Sequence, residues 1–450
     1  MAGVTASEAS GMRAFVARST WLADEGLRMG AKSFAQGGLQ ARARIEGGDW
    51  KWKPLEQVAD IYRGPLHKRV YLHDEDRSWP YITASDVSRV DLPRDIRLSI
   101  ARTPQLPVLR VEQGWTLISS AGTIGNATYV NEQLAEFAVS QDMLRVKPRQ
   151  VLAGFLFAFL STQAAKGIMQ MRTYGSVVDR IEPKHIADLP VPMPPQVLGE
   201  RVHGLVESAA RKRTEAARLL DAAAKYFDGL AGPLPSAHDH SRAVGTVRAG
   251  DLGGRLDAFY HVGWTTEGEQ LSGTPLGDLA TVTRPGIYKR IFVKNGVPVV
   301  SGIDVFQLRP SFGVRLMHRE AEQADSLITR GQVLVQRSGQ RYGLLGRPAY
   351  VGDRMHGWAA SEHLIRLTPR SAQEGAHIFA FLRSEAGQRS VVRTSYGTSI
   401  PEINPRDLAL VQVPALPQEL LLGAARALAL REEADAEEES AIAEVESWLN

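Results

Sequence analysis

Two stretches of the chain place apolar residues alternately four and three positions apart, the heptad pattern of a helix that packs along a partner helix. The first series consists of Leu198, Val202, Leu205, Ala209, Lys212, Ala216, Leu219, Ala223, Tyr226 and Leu230. The second consists of Leu420, Ala424, Ala427, Arg431, Ala434, Glu438, Ala441, Val445 and Trp448. Both series predict long helices, and their alanines predict that each helix approaches its neighbour closely.

Opposite charges on these two predicted helices indicate that the helices pair with each other. The first carries Arg211, Lys212, Arg213 and Arg218, whereas the second carries a run of acids between residues 432 and 439. Complementary charge selects partners in coiled coils, and a pseudo-twofold relation between the halves of the chain would make the pairing antiparallel. In the alternative, each helix packs separately on its own domain.

The segments that precede each long helix read as mixed α/β structure. Short runs rich in β-branched and aromatic residues, "LPVLRV" from Leu106, "WTLISS" from Trp115 and "ATYV" from Ala127, predict strands. The apolar, proline-free stretch "VLAGFLFAFLSTQAAKGIMQ" from Val151 predicts one buried helix. A closing strand that ends in prolines is predicted before each long helix, in "DLPVPMPP" and "LVQVPALP".

The chain repeats one pattern in its two halves. "TYGSVVDRIEP" from Thr173 returns as "SYGTSIPEINP" from Ser395, and "SQDMLRVKPR" from Ser140 returns as "SEHLIRLTPR" from Ser361. "HKRVY" similarly returns as "YKRIF", and "PLEQVA" returns as "PLGDLA". Because the landmarks keep the same order, the pattern predicts a duplicated unit. The copies differ freely between landmarks, which predicts two similar tasks with different targets.

These patterns predict two tandem α/β domains, each followed by a long helix. The expected segments are residues 1–45, which we leave unassigned, a first domain at 46–195, a first helix at 196–230, a linker at 231–249, a second domain at 250–416 and a second helix at 417–450. The linker is rich in Gly, Pro and Ser.

Composition limits the classes of protein to which this chain can belong. The 450 residues are 44% hydrophobic and 23% charged, as in a globular protein, and include no cysteine. We see no signal-peptide pattern, and the apolar run Val151–Leu160 is about half of what a membrane span requires. The expectation is a cytoplasmic protein without membrane contact. The net charge is +3, and because acids concentrate in residues 431–446, the rest of the chain is basic enough to suit a polyanion.

Motifs for catalysis and cofactor binding are missing from the sequence. We find no phosphate-binding loop, dinucleotide fingerprint, nucleophile elbow, zinc-protease helix or adenine-methyltransferase tetrapeptide. The acids Asp74–Asp76 fit a solvated turn, and His238 with His240 makes only half of a usual zinc site. The sequence therefore predicts a binding protein without catalytic residues, cofactor or metal.

Taken together, the repeated features resemble the specificity subunit of type I restriction–modification systems. The residues that carry the resemblance are "GSVVDRIEPKHIADLPVPMPP" from Gly175, "GTSIPEINPRDLALVQVPALP" from Gly397 and "LISSAGTIG" from Leu117, and it extends from Trp52 to Leu449. It implies two target-recognition domains, each reading one half of a bipartite site in double-stranded DNA. It also implies a spacer of paired helices that docks two DNA methyltransferase subunits and a restriction translocase/endonuclease subunit. The first predicted long helix would extend about 50 Å. This length suits two target-recognition domains that bind major grooves roughly 34–36 Å apart.

Polar and glycine residues of the repeated loops are the candidates for DNA contact, because such side chains bind base edges and phosphates. In the first half they are Arg63, Lys68, Arg69, Ser119, Ser120, Thr123, Tyr174, Gly175, Ser176 and Arg180. In the second half they are Arg284, Lys289, Arg290, Arg337, Ser338, Arg341, Tyr342, Tyr396, Gly397 and Thr398. For Gly175 and Gly397 the alternative is a tight backbone turn, and for the tyrosines 174 and 396 a place in the core.

Three other functions stay open on the sequence alone. The chain could serve as the DNA-recognition subunit of another anti-phage or nuclease assembly, which would show the same features. It could instead be a coiled-coil adaptor that never binds DNA. An enzyme is the third, and cutting or methylation of DNA by the isolated chain would support it.

Overall fold

A computed structural model of the chain describes residues 37–72, 74–173, 179–232, 248–252, 255–262 and 271–450. The chain divides into two compact units. Unit 1 comprises Met1–Thr214 with Glu433–Asn450, and unit 2 comprises Glu215–Glu432. Both boundaries fall inside long helices, so each unit contains one domain and part of both helices. In the described residues we find no helix with the length and apolar character that crossing a bilayer requires.

The secondary structure of the first half alternates short strands and helices before one long helix. Its helices are α1 Gly38–Glu46, α2 Leu55–Val58, α3 Leu106–Leu109, α4 Ala153–Ser161, α5 Gln163–Met171, α6 Pro183–Ile186 and α7 Gln196–Ala231. Its strands are β1 Trp52–Pro54, β2 Ala59–Arg63, β3 Ser78–Ile82, β4 Arg97–Ser99, β5 Thr116–Ser119, β6 Ala127–Tyr129, β7 Ala138–Val139, β8 Met143–Pro148 and β9 Pro190–Pro192.

The second half repeats this succession. Its helices are α8 Ala258–Val262, α9 Leu276–Leu279, α10 His318–Gln323, α11 Ala372–Arg383, α12 Glu385–Arg393, α13 Pro405–Ala409 and α14 Gln418–Leu449. Its strands are β10 Thr274–Pro275, β11 Ala280–Thr283, β12 Phe292–Val300, β13 Arg315–Leu316, β14 Val333–Gln336, β15 Pro348–Tyr350, β16 Ala359–Ala360, β17 Leu364–Pro369 and β18 Gln412–Val413.

Sheet topology is the same in the two units. Unit 1 has a four-stranded sheet in the order β2-β8-β5-β6, a three-stranded sheet β4-β3-β7 and a pair β1-β9. In unit 2 the corresponding orders are β11-β17-β14-β15, β13-β12-β16 and β10-β18. Even the registers match, since Ala59 faces Pro148 in unit 1 and Ala280 faces Pro369 in unit 2. The predicted α/β class and the tandem duplication are therefore confirmed.

Two predictions of local structure are wrong. The stretch from Val151 to Gln170 forms two helices, because the chain is extended at Thr162 (ψ 154°), whose hydroxyl oxygen accepts a bond from the amide of Ala165 at 3.2 Å. In unit 2, Ser384 makes the same break between α11 and α12. The predicted strand from Leu106 is instead the short helix α3 in its first four residues, where Pro107 sits in the first turn. Proline suits a helix start because it lacks an amide donor.

Within each unit, segments of the two long helices pack against each other. In unit 1 the Arg201 guanidinium meets Glu444 at 2.7 Å, and Lys212 meets Glu433 at 2.9 Å and Glu437 at 2.8 Å. Because rising numbers on α7 meet falling numbers on α14, the segments are antiparallel. The predicted antiparallel pairing through opposite charges is confirmed.

Unit 2 pairs its helix segments through small and apolar side chains. Ala216, Ala223 and Phe227 of α7 share one buried cluster with Ala424 and Ala427 of α14. These residues are less than 1% exposed. The alanines on both predicted seams therefore do bring the helices close, as the heptad pattern indicated.

The described part of the N-terminal extension belongs to unit 1. In α1 a side chain at Gly38 would lie 2.5 Å from the carbonyl oxygen of Gly167 in α5, so only glycine permits this contact. Arg42 of the same helix bonds Asp188 at 3.1 Å. Residues 38–45, which the sequence pattern left unassigned, thus pack against the first domain.

Candidate nucleic-acid interface

In unit 1 the basic loop after β2 meets the turn before β8. Arg63 donates from Nε to the carbonyl oxygen of Gln141 at 2.9 Å and from Nη2 to Asp142 at 3.1 Å. Arg69 lies 3.9 Å from the same carboxylate, and Lys68 between them is exposed. Asp142 therefore holds two of the predicted arginines at one end of the four-stranded sheet.

The β5–β6 turn lies at this same end of the sheet. Ser119 accepts a bond from the amide of Asn126 at 3.1 Å, and Thr123 at the turn is exposed. Ser120 is 3% exposed, and its hydroxyl donates to the carbonyl oxygen of Asp142 at 2.7 Å. Thr123 is thus presented to solvent, whereas Ser120 ties the turn to the strand beside it.

Arg180 is brought to the turn by a short backbone pairing. Residue Ala121 forms an isolated bridge with Arg180, and the amide of Ile181 donates to the carbonyl oxygen of Ser120 at 3.0 Å. The Arg180 side chain is exposed. The candidates Tyr174, Gly175 and Ser176 lie outside the described residues.

Unit 2 assembles its candidates at the corresponding end of its four-stranded sheet. Arg337 is 8% exposed, and its guanidinium bonds both carboxylate oxygens of Glu402, at 2.7 and 3.0 Å. Its Nε donates to the carbonyl oxygen of Glu362 at 3.0 Å, and the carboxylate of Glu362 lies 3.7 Å from Arg290. Arg337 therefore fastens the β14–β15 turn to two neighbouring segments.

The loop after α12 is held against this turn. Arg341 donates to the Ser395 hydroxyl at 3.2 Å and to the carbonyl oxygen of Gly397 at 3.4 Å, and its guanidinium lies 3.8 Å from the centre of the Phe259 ring. Gly397 has a φ of +90°, a left-handed conformation that favours glycine. This φ supports the alternative of a turn-forming glycine.

The remaining candidates of unit 2 surround that loop or the basic loop after β11. Tyr396 is 45% exposed and donates its hydroxyl to Glu402 at 3.3 Å, so it is not a core residue. The Ser338 hydroxyl lies 2.9 Å from Nδ1 of His363. Four further candidates have exposed side chains, namely Arg284, Lys289, Tyr342 and Thr398.

A pair of buried arginines supports the two sites, and sequence reasoning missed both. Arg145 in β8 is fully buried and donates to the carbonyl oxygens of Met143 at 2.9 Å, Leu109 at 3.2 Å and Val139 at 2.6 Å. Burial lowers the pKa of Arg145 to about 10. Arg366 stands at the corresponding position of β17 and bonds the carbonyl oxygens of Asp325 and Leu327. The signal was a basic residue repeated inside two apolar strands, "MLRV" and "LIRL".

Nothing in the described residues forms a metal site, since no group of three or more His, Asp or Glu side chains is placed to hold an ion there. His238 and His240 lie outside the described part of the chain. What the two sites share is cations, hydroxyl groups and backbone turns at a sheet end, which are the groups that bind phosphates and base edges.

Comparison with known proteins gives one family match. Residues 47–198 match the family described as the type I restriction modification DNA specificity domain. Among curated proteins, none matches this chain.

Solved structures similar to this chain include a type I restriction-modification system S subunit from M. genitalium, at 13% identity and a TM-score of 0.31, covering 90% of this chain and 95% of that one. The HsdS subunit from Thermoanaerobacter tengcongensis has 15% identity and a TM-score of 0.27, covering 88% and 97%. A third, titled for complex assembly and conformational transition of the type I R-M system, has 16% identity and a TM-score of 0.28, covering 89% and 94%.

The matched range runs from the residues just before β1, through every strand of the first domain, into the start of α7. It includes the described candidates of unit 1 and the "LISSAGTIG" stretch on which the resemblance was based. The resemblance to type I restriction–modification specificity subunits is therefore confirmed for residues 47–198, which match the family of DNA specificity domains.

Proposed function

We propose that the whole chain is the non-catalytic DNA-recognition subunit of a type I restriction–modification complex, with one half of a bipartite target read by each unit. One observation carries the proposal beyond the matched range. Unit 2 has the same sheet topology as unit 1 and gathers corresponding basic, hydroxyl and turn residues at the corresponding sheet end. A second copy of a DNA specificity domain accounts for this arrangement.

The exposed candidates are the proposed contacts to DNA. They are Lys68, Arg69, Thr123 and Arg180 in unit 1, and Arg284, Lys289, Arg290, Tyr342, Tyr396 and Thr398 in unit 2. The other described side chains are less exposed and bond within the protein, namely Arg63, Ser119, Ser120, Arg337, Ser338 and Arg341. We therefore assign Ser120 and Arg337, which are buried, to support of the turns.

The long helices are the proposed docking surface for partner subunits. We expect two DNA methyltransferase subunits and a restriction translocase/endonuclease subunit to bind there, and we place target-recognition domains at 46–195 and 250–416. Helix α7 would be interrupted by Ala216→Pro, because proline removes a backbone hydrogen bond. Loss of co-purifying partners is expected in this variant.

Long-read methylation mapping of the native genome, with the gene present and deleted, tests the proposal directly. A methylated bipartite motif that disappears on deletion is expected, and it would name both half-sites. An unchanged methylation pattern would contradict the methyltransferase assignment. In that event, sequence-specific and salt-sensitive DNA binding by the purified chain would indicate a nuclease assembly. If the purified chain showed no preference for any DNA sequence in this binding measurement, a coiled-coil adaptor would be indicated.

A further inference from the structure

Both units expose an aliphatic side chain at the tip of the loop that leads to the basic pair. Leu66 is 81% exposed and Ile287 is 77% exposed. They precede the matching segments "HKRVY" and "YKRIF" and therefore occupy the same place in the duplicated pattern. A single exposed apolar residue is ordinary. The same exposure in two copies that otherwise differ freely calls for a physical reason.

The residue after each tip anchors the loop. The His67 ring packs edge-on against Tyr81, with ring centres 5.7 Å apart. Tyr288 packs against the buried cluster that contains Val297. Because the anchoring ring turns inward in both units, the aliphatic side chain before it stays outward.

Contacts at the base of each loop also fix its position. A side chain at Gly64 would lie 2.9 Å from Nη1 of the buried Arg145, so the loop backbone lies directly against this guanidinium. In unit 2 the amide of Gly286 donates to the carbonyl oxygen of Ala324 at 2.7 Å. Each tip is therefore a projection held by the domain.

Charge at the tips favours a polyanion as the occupant. Lys68 and Arg69 follow Leu66, Lys289 and Arg290 follow Ile287, and all four side chains are exposed. Beyond each pair stands an exposed aromatic residue, Tyr71 at 51% and Phe292 at 45%. Apolar side chains among cations suit DNA, where they touch thymine methyl groups or enter between base steps while the cations meet phosphates.

We infer that Leu66 and Ile287 each place an apolar side chain against a base in the half-site of their own unit. The inference rests on the proposed function and adds two residues to the recognition surface. Both contribute without charge, so their contribution is independent of counterion release. Lys68 and Lys289, by contrast, act through phosphates.

Binding selections with the full chain test the inference. Leu66→Ala and Ile287→Ala would be compared with wild type on synthetic duplexes that carry the motif named by methylation mapping, with one half-site randomised at a time. Val108→Ala and Leu410→Ala are matched controls, because these side chains are 52% and 70% exposed but lie outside the tips.

Leu66→Ala should relax base preference in one half-site only, and Ile287→Ala in the other only. Affinity for the intact motif should fall roughly tenfold in each case, since removing most of a buried aliphatic side chain loses about this much. The slope of log affinity against log salt should stay unchanged, whereas Lys68→Ala should reduce it by about 1. Leu66→Met and Ile287→Met should keep most of the wild-type affinity.

A failure of this inference and a failure of the proposed function would give different results. If wild type selects a motif and both alanine variants select it equally well, the tips do not touch bases, and the proposed function stands. Loss of a co-purifying subunit with unchanged base preference would assign the tips to a protein partner instead. If wild type selects no motif, the proposed function and the inference both fail.

Discussion

The β5–β6 turn of unit 1 and the β14–β15 turn of unit 2 share one backbone bridge but differ in length and in polar chemistry. Ala121 bridges Arg180 in one, and Ser338 bridges Glu402 in the other. Unit 1 therefore presents an exposed cation where unit 2 has a carboxylate. In unit 2 that carboxylate is neutralised by Arg337. The shared backbone bridge fixes the position of the side chain in both units. The residue at that position, Arg180 or Glu402, decides what the side chain can bind.

A second contrast lies in the helix segments of the two units. In unit 1, Arg213 bonds Asp435 at 2.8 Å and also pairs with Glu438, which is 3% exposed. Burial lowers the pKa of Arg213, but the two carboxylates outweigh burial and the net direction is upward. Unit 2 uses alanines and Phe227 in the corresponding packing. Unit 1 thus adds a buried ion-pair network to apolar packing that includes Val206 and Ala441.

The largest effect is expected from Arg213→Ala, which removes the charge balance in unit 1. It leaves Glu438 buried without its main partner, and such a loss costs about 3–5 kcal/mol in the free energy of unfolding. Denaturant titration followed by tryptophan fluorescence measures it. Arg201→Ala is the control, because its ion pair with Glu444 leaves Arg201 58% exposed and should contribute less than about 1 kcal/mol. Equal stability of the two variants would mean that the buried pair contributes no more than an exposed one, and would contradict this role of Arg213.

A smaller loss is expected from Arg337→Ala in the turn of unit 2. Because the Glu402 side chain is 31% exposed, water compensates part of the lost pair, and we expect about 2–3 kcal/mol. Ser120→Ala at the corresponding place in unit 1 loses one hydrogen bond and should cost about 1 kcal/mol. Thermal unfolding of both variants checks the order, and a larger loss in Ser120→Ala would reverse our assignment of the two turns.

The exposed cation of unit 1 should act on binding and leave stability nearly unchanged. Arg180→Ala is expected to reduce the slope of log affinity against log salt by about 1 on the mapped duplex, since one phosphate contact is lost. Arg337→Ala should leave this slope unchanged, because its guanidinium already has an internal carboxylate partner. Fluorescence anisotropy over a range of salt concentrations measures both, and an equal reduction in the two variants would refute the difference between the turns.

The smallest effect concerns pH and unit 2. Burial lowers the pKa of His377, an effect partly opposed by its 2.7 Å bond with the carbonyl oxygen of Pro414. Below about pH 6.5 the unfolded chain gains a proton that the folded unit does not take up. The free energy of unfolding therefore decreases as the pH is lowered. His377→Gln should show a shallower decrease between pH 7 and pH 5.5 in denaturant titrations. Identical pH dependence would mean that His377 titrates equally in both states.

Local pattern and repetition determined the class of this protein from sequence. Heptad spacing predicted both long helices, opposite charges predicted their pairing, and the twofold relation implied by the repeat predicted the antiparallel direction. The repeat predicted two α/β domains of one kind, and its motifs carried the resemblance to the family that residues 47–198 match. These features depend on neighbours in the chain, which is why they can be read without a fold.

Only the tertiary structure decided which polar residues are available to bind. Ser120 and Arg180 carry equal weight in the sequence, yet one is buried and the other exposed. Arg337 is neutralised by Glu402, which lies 65 positions away. Arg145 has no distinguishing mark except its repetition at Arg366, although it bonds four backbone carbonyls. Such roles depend on contacts between distant segments and on the exclusion of water, and the order of residues in the chain specifies them only through the folded state.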